Sequence, residues 1–399
     1  MNTTKIRTNT FFNLGTQRAL YDKVTGYAKK ESYTQNHILE LKKKFNLKKI
    51  YRFDLGQNNE GCAEEVGNRF IELTRSVDIR DYIKKYPEFL THDLRKKIKE
   101  LHDIPHEDWI LFSAGLDQMV SIIAYSFLEL NDKFMVNSPS FYLFEEYSNR
   151  MGAIAIYLKL REEDGYNWTP ETFDEYREIL KKLNPKLIWI ANPNNPTGGS
   201  CPKDLIQYIV DEASNYFAFV VVDEAYGEYT DPDGGVNSAS RLLKDYNNLI
   251  VLRTFSKAYG LASLRIAYAM SGNPDILSAL RIHSNYFPIT QFSYDLASVA
   301  LDNIDYLKNT RALIKKRKDI FVKELESIRG ISYVDTRANI MIVKHKKLSG
   351  AELIAHLERH GILVSVVSDE DSISPYIRLT LGNEEENHYF AEVLRKIPL

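Results

Sequence analysis

The 399-residue chain has only two cysteines, Cys62 and Cys201, far apart in sequence and outside any Cys-x-x-Cys pair. Neither a disulfide framework nor a cysteine zinc site is indicated, and a reducing compartment fits that scarcity. A surplus of either charge is also missing: 52 Lys and Arg against 54 Asp and Glu leave a formal net charge of −2. No global basic field advertises nucleic acid or an anionic membrane, so an anionic ligand must be met by local groups. Long apolar runs are absent from "MNTTKIRTNTFFNLGTQRAL" and from the rest of the chain, so neither a leader nor a spanning helix is predicted. Nowhere does a lysine follow a glycine, which removes the G-x-x-x-x-G-K-[ST] loop of nucleotide hydrolases. Internal repeats and low-complexity tracts are lacking too. The expectation is a soluble cytoplasmic protein with no nucleic-acid or membrane partner.

What is present is enough apolar residue, 44% of the chain, to fill more than one core. From about residue 108, short apolar runs end in Gly, Pro, Asn, Ser or Asp and lead into helical stretches: "WILF" into "SAGLDQ", "KFMVN" into "SPSFY", "KLIWIA" into "NPNNPTGG", "FAFVVV" into "DEAYGEY", "LIVLR" into "TFSKAYG". This alternation predicts an α/β fold, a mostly parallel, doubly wound sheet covered by helices on both faces. Ligands of such sheets gather at the carboxyl ends of the strands, where all these loops fall. Residues 86–285 are read as the large domain. A helical N-terminal arm within 1–85 and the C-terminal third, 286–399, are read as a smaller α+β domain. The lysine-dense "LKKKFNLKKI" reads as a solvated helix face. His356 and His360 have the i, i+4 spacing of zinc ligands, but "HLERH" misplaces the general-base glutamate and the helix is predicted to stop at Gly361, so no metal is expected.

The stretch "LRTFSKAYGLASLRIAYAM" sets Lys257 beside a glycine-containing turn and Arg265 eight residues later among apolar neighbours. A lysine for a Schiff base, an arginine for a phosphate and Asp223, at the end of a buried run, for a protonated ring nitrogen form the set that pyridoxal 5'-phosphate requires. In order and spelling, "NPNNPTG" (192–198), "DEAY" (223–226) and "TFSKAYGLASLR" (254–265) resemble the pyridoxal phosphate-dependent aminotransferases of the aspartate aminotransferase-like fold, class I/II, and among them the histidinol-phosphate aminotransferase group. The resemblance runs from "YPEF" at 86 to "YIRLTLG" at 376. It implies that Asn195 and Tyr226 bond the cofactor's phenolic oxygen and that Phe141 stacks on its ring. It implies that Ala114, Gly115 and Leu116, at a strand-to-helix turn, meet the phosphate with Thr254, Ser256 and Arg265. Tyr86 matches a tyrosine lent to the neighbouring subunit, so a homodimer with shared sites follows from the resemblance. Arg378 matches the arginine that grips a substrate carboxylate or phosphate.

The family pattern breaks in two places, both on the substrate side. "QNNEGCA" (57–63), which holds the substrate-side candidate Asn58, stands where relatives read N-E-N-P, and Ser365 stands where they often place an arginine. The activity implied is transfer of an amino group, with glutamate as donor and a small keto or phosphorylated keto acceptor. Decarboxylation of an amino acid or its O-phosphate by the same residues is the alternative. A transcription regulator built on this fold would need a helix-turn-helix pattern, and none is read before the core.

Overall fold

The computed structural model of the chain describes residues 33–76, 78–87, 92–230, 238–367 and 373–398. Of the expected N-terminal segment 1–85, residues 1–32 lie outside them. In chain order the strands are β1 (Tyr51–Arg52), β2 (Ile110–Ser113), β3 (Lys133–Ser138), β4 (Ile154–Lys159), β5 (Leu187–Ala191), β6 (Phe219–Asp223) and β7 (Leu249–Thr254). They continue with β8 (Ala267–Met270), β9 (Ile331–Tyr333), β10 (Ile340–His345), β11 (Ile362–Leu363), β12 (Ser365–Val366) and β13 (Tyr376–Thr380).

Seven of them form one sheet in the order β2-β8-β7-β6-β5-β3-β4. Only β8 runs against its neighbours, β2 and β7. The other six therefore share one direction and end at one edge. Side chains alternate across this sheet as strand geometry requires. Ile188 and Ile190 of β5 join one core, with Val220 and Val222 of β6, while Leu187, Trp189 and Val221 join the core on the opposite face. Burial on both faces is why these strands read as unbroken apolar runs. Covering helices carry local start and stop signals. The helix Pro170–Leu183, for example, has Pro at its start, Thr169 accepting from the Thr172 amide, and Asn184 in a left-handed conformation at its end.

The second sheet, β12-β13-β10-β9, is antiparallel. Its core joins Met341, Val343, Ile377 and Leu379 to Phe321, Leu353, Leu357 and Phe390 of the helices Ile304–Glu326, Gly350–Glu358 and Glu384–Arg395. β1 pairs in parallel with β11, and Phe53 then bonds both Leu363 and the Thr380 amide. Residues 51–56 are thereby drawn along the second sheet toward the edge of the first. Packing crosses the boundaries expected at 85 and 285: Val66, Leu73, Tyr294 and Leu296 belong to the core on the large sheet. In the lysine-dense helix Gln35–Phe45, Ile38 and Leu41 face inward. His356 Nε2 lies 3.1 Å from the Val393 carbonyl and His360 Nδ1 3.0 Å from the His356 carbonyl. Among the described residues no helix is long and apolar enough to cross a membrane.

Candidate active site

Three strand ends deliver the chemistry. Asp223 closes β6, and the parallel pairing of β6 with β7 brings it level with Leu252. β7 ends at Thr254, three residues before Lys257, and β5 ends at Ala191, four before Asn195. Asp223 is buried, and its Oδ1 accepts the Ala225 amide at 2.9 Å. Burial pushes its carboxyl up to about 7; the Ala225 bond opposes this, Glu224 adds to it and Lys257 opposes it. Lys257 is half-buried, its Nζ 3.4 Å from the Leu55 carbonyl and 5.2 Å from the centre of the Tyr226 ring. Gly56 sits between the two. A Cβ at that position would stand 2.7 Å from the Tyr226 hydroxyl and 3.3 Å from Lys257 Nζ. Lys257, Asp223 and Tyr226 thus meet in one place.

A second group gathers at the start of the helix Leu116–Phe127. Arg265, with the left-handed φ of 50°, turns its guanidinium to Asp117 at 3.0 Å and leaves about half of its side chain open. Gly115, at φ 92°, lies beneath it, and a Cβ there would come 2.2 Å from Arg265 Nη2. Thr254 Oγ1 donates to Ser256 Oγ at 3.0 Å. Two amides expected to face outward are engaged inside the protein: Ala114 N donates to Gln118 Oε1 at 2.7 Å and Gly115 N to the Ser113 carbonyl at 2.8 Å. Gln118, which no motif points to, takes the acceptor role at this turn. Phe141 caps the helix Tyr142–Arg150, half-buried, with ring contacts to Tyr142 and Phe144.

The second sheet supplies the opposite wall. Arg378, in the middle of β13, reaches Asn195 Oδ1 with Nη1 at 3.0 Å. Its Nη2 donates to Ser365 Oγ at 3.0 Å and to the Asp54 carbonyl, and Ser365 Oγ donates to that carbonyl at 2.6 Å. Arg378 Nε is buried without a hydrogen-bond partner among the described residues. Asn58, expected to meet substrate, is 6% exposed. Its Nδ2 donates to the Ala258 carbonyl at 2.9 Å and to the Tyr306 hydroxyl at 2.8 Å, while Oδ1 accepts the Glu60 amide at 3.0 Å. Every polar atom of that side chain therefore has a partner within the protein. Tyr86 lies away from these contacts, 76% exposed and stacked on Phe287 with ring centres 4.5 Å apart.

This arrangement suits a flat anionic cofactor. Gly115 lets a half-open guanidinium lie close over the start of a helix, a place where an anion can be met, and a buried carboxyl lies near a lysine and a phenol. An arginine with one unpartnered N–H closes the far side.

Comparison with known proteins agrees. The model of the family "aminotransferase class I and II" matches residues 48–394. The histidinol-phosphate aminotransferase of Caldicellulosiruptor saccharolyticus is 32% identical over 90% of this chain and 95% of its own. Histidinol-phosphate aminotransferase 2 of Archaeoglobus fulgidus is 30% identical over 88% of this chain and 94% of its own. Among solved structures, histidinol-phosphate aminotransferase from Sinorhizobium meliloti, in complex with pyridoxal 5'-phosphate, superposes with a TM-score of 0.77 at 22% identity, over 90% of this chain and 95% of that one. A Thermus thermophilus aspartate aminotransferase double mutant gives 0.77 at 18% identity, over 90% and 94%. At those identities the structural likeness speaks for the fold, that of the aspartate aminotransferases. With a family match spanning nearly every described residue, the chain belongs to the class I and II aminotransferases and is a pyridoxal 5'-phosphate-dependent enzyme of amino-group transfer.

Proposed function

We propose that this aminotransferase takes the amino group of glutamate and passes it to a small keto or phosphorylated keto acceptor, in the cytoplasm and as a homodimer with shared sites. The observation that supports this reading is the meeting of Lys257, Asp223 and Tyr226 at one sheet edge while Arg378 reaches across from the other sheet to Asn195. We divide the chain near residues 85 and 285, with the cofactor held by the central part.

Lys257 binds the cofactor covalently, and its Nζ accepts and returns a proton at the substrate's α-carbon. The bound cofactor supplies an electron sink that makes the hydrogen on that carbon acidic. Asp223, a buried carboxyl, would hold a proton on the cofactor's ring nitrogen. Tyr226 and Asn195 would hydrogen-bond the cofactor's phenolic oxygen, and Phe141 would supply an aromatic face for its ring. Arg265, Thr254, Ser256 and the Leu116 amide hold the phosphate, while Ala114 and Gly115 shape the turn around it. Tyr86, exposed on one subunit, reaches the phosphate site of the other. Arg378 would grip the substrate's oxyanion and so orient its α-carbon. Asn58 serves the substrate side indirectly, by fastening the 55–62 loop to Ala258 and Tyr306.

The test is a half-reaction. Enzyme loaded with cofactor and given glutamate alone should convert to its pyridoxamine form, followed by absorbance, and revert when a keto acceptor is added. Carbon dioxide is measured in parallel across a panel of amino acids and their phosphate esters. Stoichiometric carbon dioxide with no pyridoxamine form from any donor would reject amino transfer as the reaction.

A further inference from the structure

The strand that leads to Lys257 carries a charge in its buried interior. Arg253 is 4% exposed and follows four buried apolar residues, Leu249 to Leu252. Its Nη1 donates to Glu228 Oε1 at 2.9 Å, and its Nε lies 2.8 Å from Glu224 Oε2, an ion pair out of line for a hydrogen bond. Both glutamates are buried, at 6% and 2% exposure. They flank Ala225, Tyr226 and Gly227, and Glu224 directly follows Asp223. Backbone pairing joins the same two segments, since the Glu224 amide donates to the Leu252 carbonyl at 3.0 Å. Glu224 is further held by Ser238 Oγ at 2.6 Å and the Ala239 amide at 2.7 Å.

Stability alone does not account for such a cluster. Taking three charged groups out of water is costly, and an apolar trio of similar volume commonly does as well or better. Burial works to lower the Arg253 pKa, but the two glutamates overcome it and leave it raised. Burial raises Glu228 in spite of Arg253. The backbone is shaped around the guanidinium: a Cβ at Gly227 would stand 2.7 Å from Arg253 Nη1 and 2.9 Å from its Cζ. What the cluster does achieve is to tie both ends of the turn that follows Asp223 and bears Tyr226 to the strand that leads to Lys257.

We propose that Arg253 is a positioning residue for the reaction: by gripping Glu224 and Glu228 together, it sets where the Asp223 carboxyl and the Tyr226 hydroxyl stand relative to Lys257. Asp223 and Tyr226 carry the roles given above, so the clamp acts on the chemistry only if that reading holds. Arg253 itself is 4% exposed and turned to the two glutamates, so it acts through them.

The experiment uses cofactor-loaded enzyme and compares Arg253→Met, Arg253→Lys, Glu228→Gln and, as a reference, Asp223→Asn. It reads kcat and donor KM separately, and the induced circular dichroism of bound pyridoxal phosphate per mole bound, which reports how the ring is set. Arg253→Met should lower kcat about 100-fold while donor KM stays within about threefold, with an altered dichroic band. Arg253→Lys should recover about tenfold of that loss, and Glu228→Gln should lower kcat about fivefold with a smaller change in the band. Should Arg253→Met not fold, Arg253→Lys and Glu228→Gln decide the matter through the same readouts. Folded, fully loaded variants with kcat within about twofold of wild type and an unchanged band would overturn the clamp. A crippled Asp223→Asn beside such variants would remove the clamp alone, whereas an unaffected Asp223→Asn would remove the roles assigned to the site as well.

Discussion

Along the carboxyl edge of the large sheet, the side chains proposed for the chemistry stand at strand ends or within four residues of them, and two keep part of their surface free: Lys257 is half-buried and Arg265 about half open. On the substrate side, Arg378 lies inside β13 and Asn58 in a loop, and their polar atoms are mostly engaged by other parts of the chain. The first wall is built by local sequence, since a strand, its turn and the next helix place the group. The second is built by long-range pairing, with Asn58 meeting Tyr306 248 residues away and Arg378 meeting Asp54 324 residues away. One wall can therefore be read from motifs, while the other depends on residues far apart in sequence.

Substitutions on the two walls should differ in size and kind. The largest effect belongs to Lys257→Ala, which would remove the proposed covalent anchor and proton carrier together; turnover should fall by at least about 1,000-fold, measured by single-turnover absorbance with cofactor still bound. Asp223→Asn keeps the shape and loses the charge, and should slow α-proton removal about 10- to 100-fold with a smaller change in cofactor affinity. The same variant gives a signed pH test on cofactor-free protein. Because burial raises the Asp223 carboxyl to about 7, its contribution to stability is present in full below about pH 4 and is lost as pH rises through about 7. Wild-type Tm should consequently fall relative to Asp223→Asn between about pH 5 and pH 8, and a constant difference would contradict the buried assignment.

On the substrate wall, Arg378→Lys retains charge but not the two-pronged grip, and should raise donor KM about tenfold with less effect on kcat. The smallest change should come from Ser365→Ala. Its hydroxyl bridges Arg378 Nη2 and the Asp54 carbonyl, yet each keeps another partner, so steady-state kinetics should show a rise in KM of about threefold at most. A larger effect from Ser365 than from Asp223 would reverse the comparison between the walls.

The alternation of apolar runs and helical stretches announced the large sheet because both of its faces are buried, which leaves strands such as Leu187–Ala191 without a polar residue. The meeting of Lys257, Asp223 and Tyr226 was legible for the same reason: motifs at successive strand ends of one parallel sheet must share an edge. What escaped was the identity of internal partners. Nothing local announces that the Ala114 amide is taken by Gln118 or that the Asn58 amide is fully engaged. Arg253 did leave a signal, a charge inside the apolar run "LIVLRT", whose meaning emerges only once Glu224 and Glu228 are seen beneath it. The packing of Val66 and Leu73 against the large sheet was hidden as well, since a helix's period shows which face is buried but not against which sheet.

Every other group of the proposed site is placed relative to Lys257, the residue proposed to hold the cofactor. Borohydride reduction of enzyme loaded with pyridoxal phosphate, followed by digestion and mass mapping, reads this directly. The expected result is a single reduced adduct on the peptide containing residue 257, absent from Lys257→Ala. An adduct on any other lysine, with residue 257 unmodified, would contradict the assignment and with it the placement of every group arranged around that side chain.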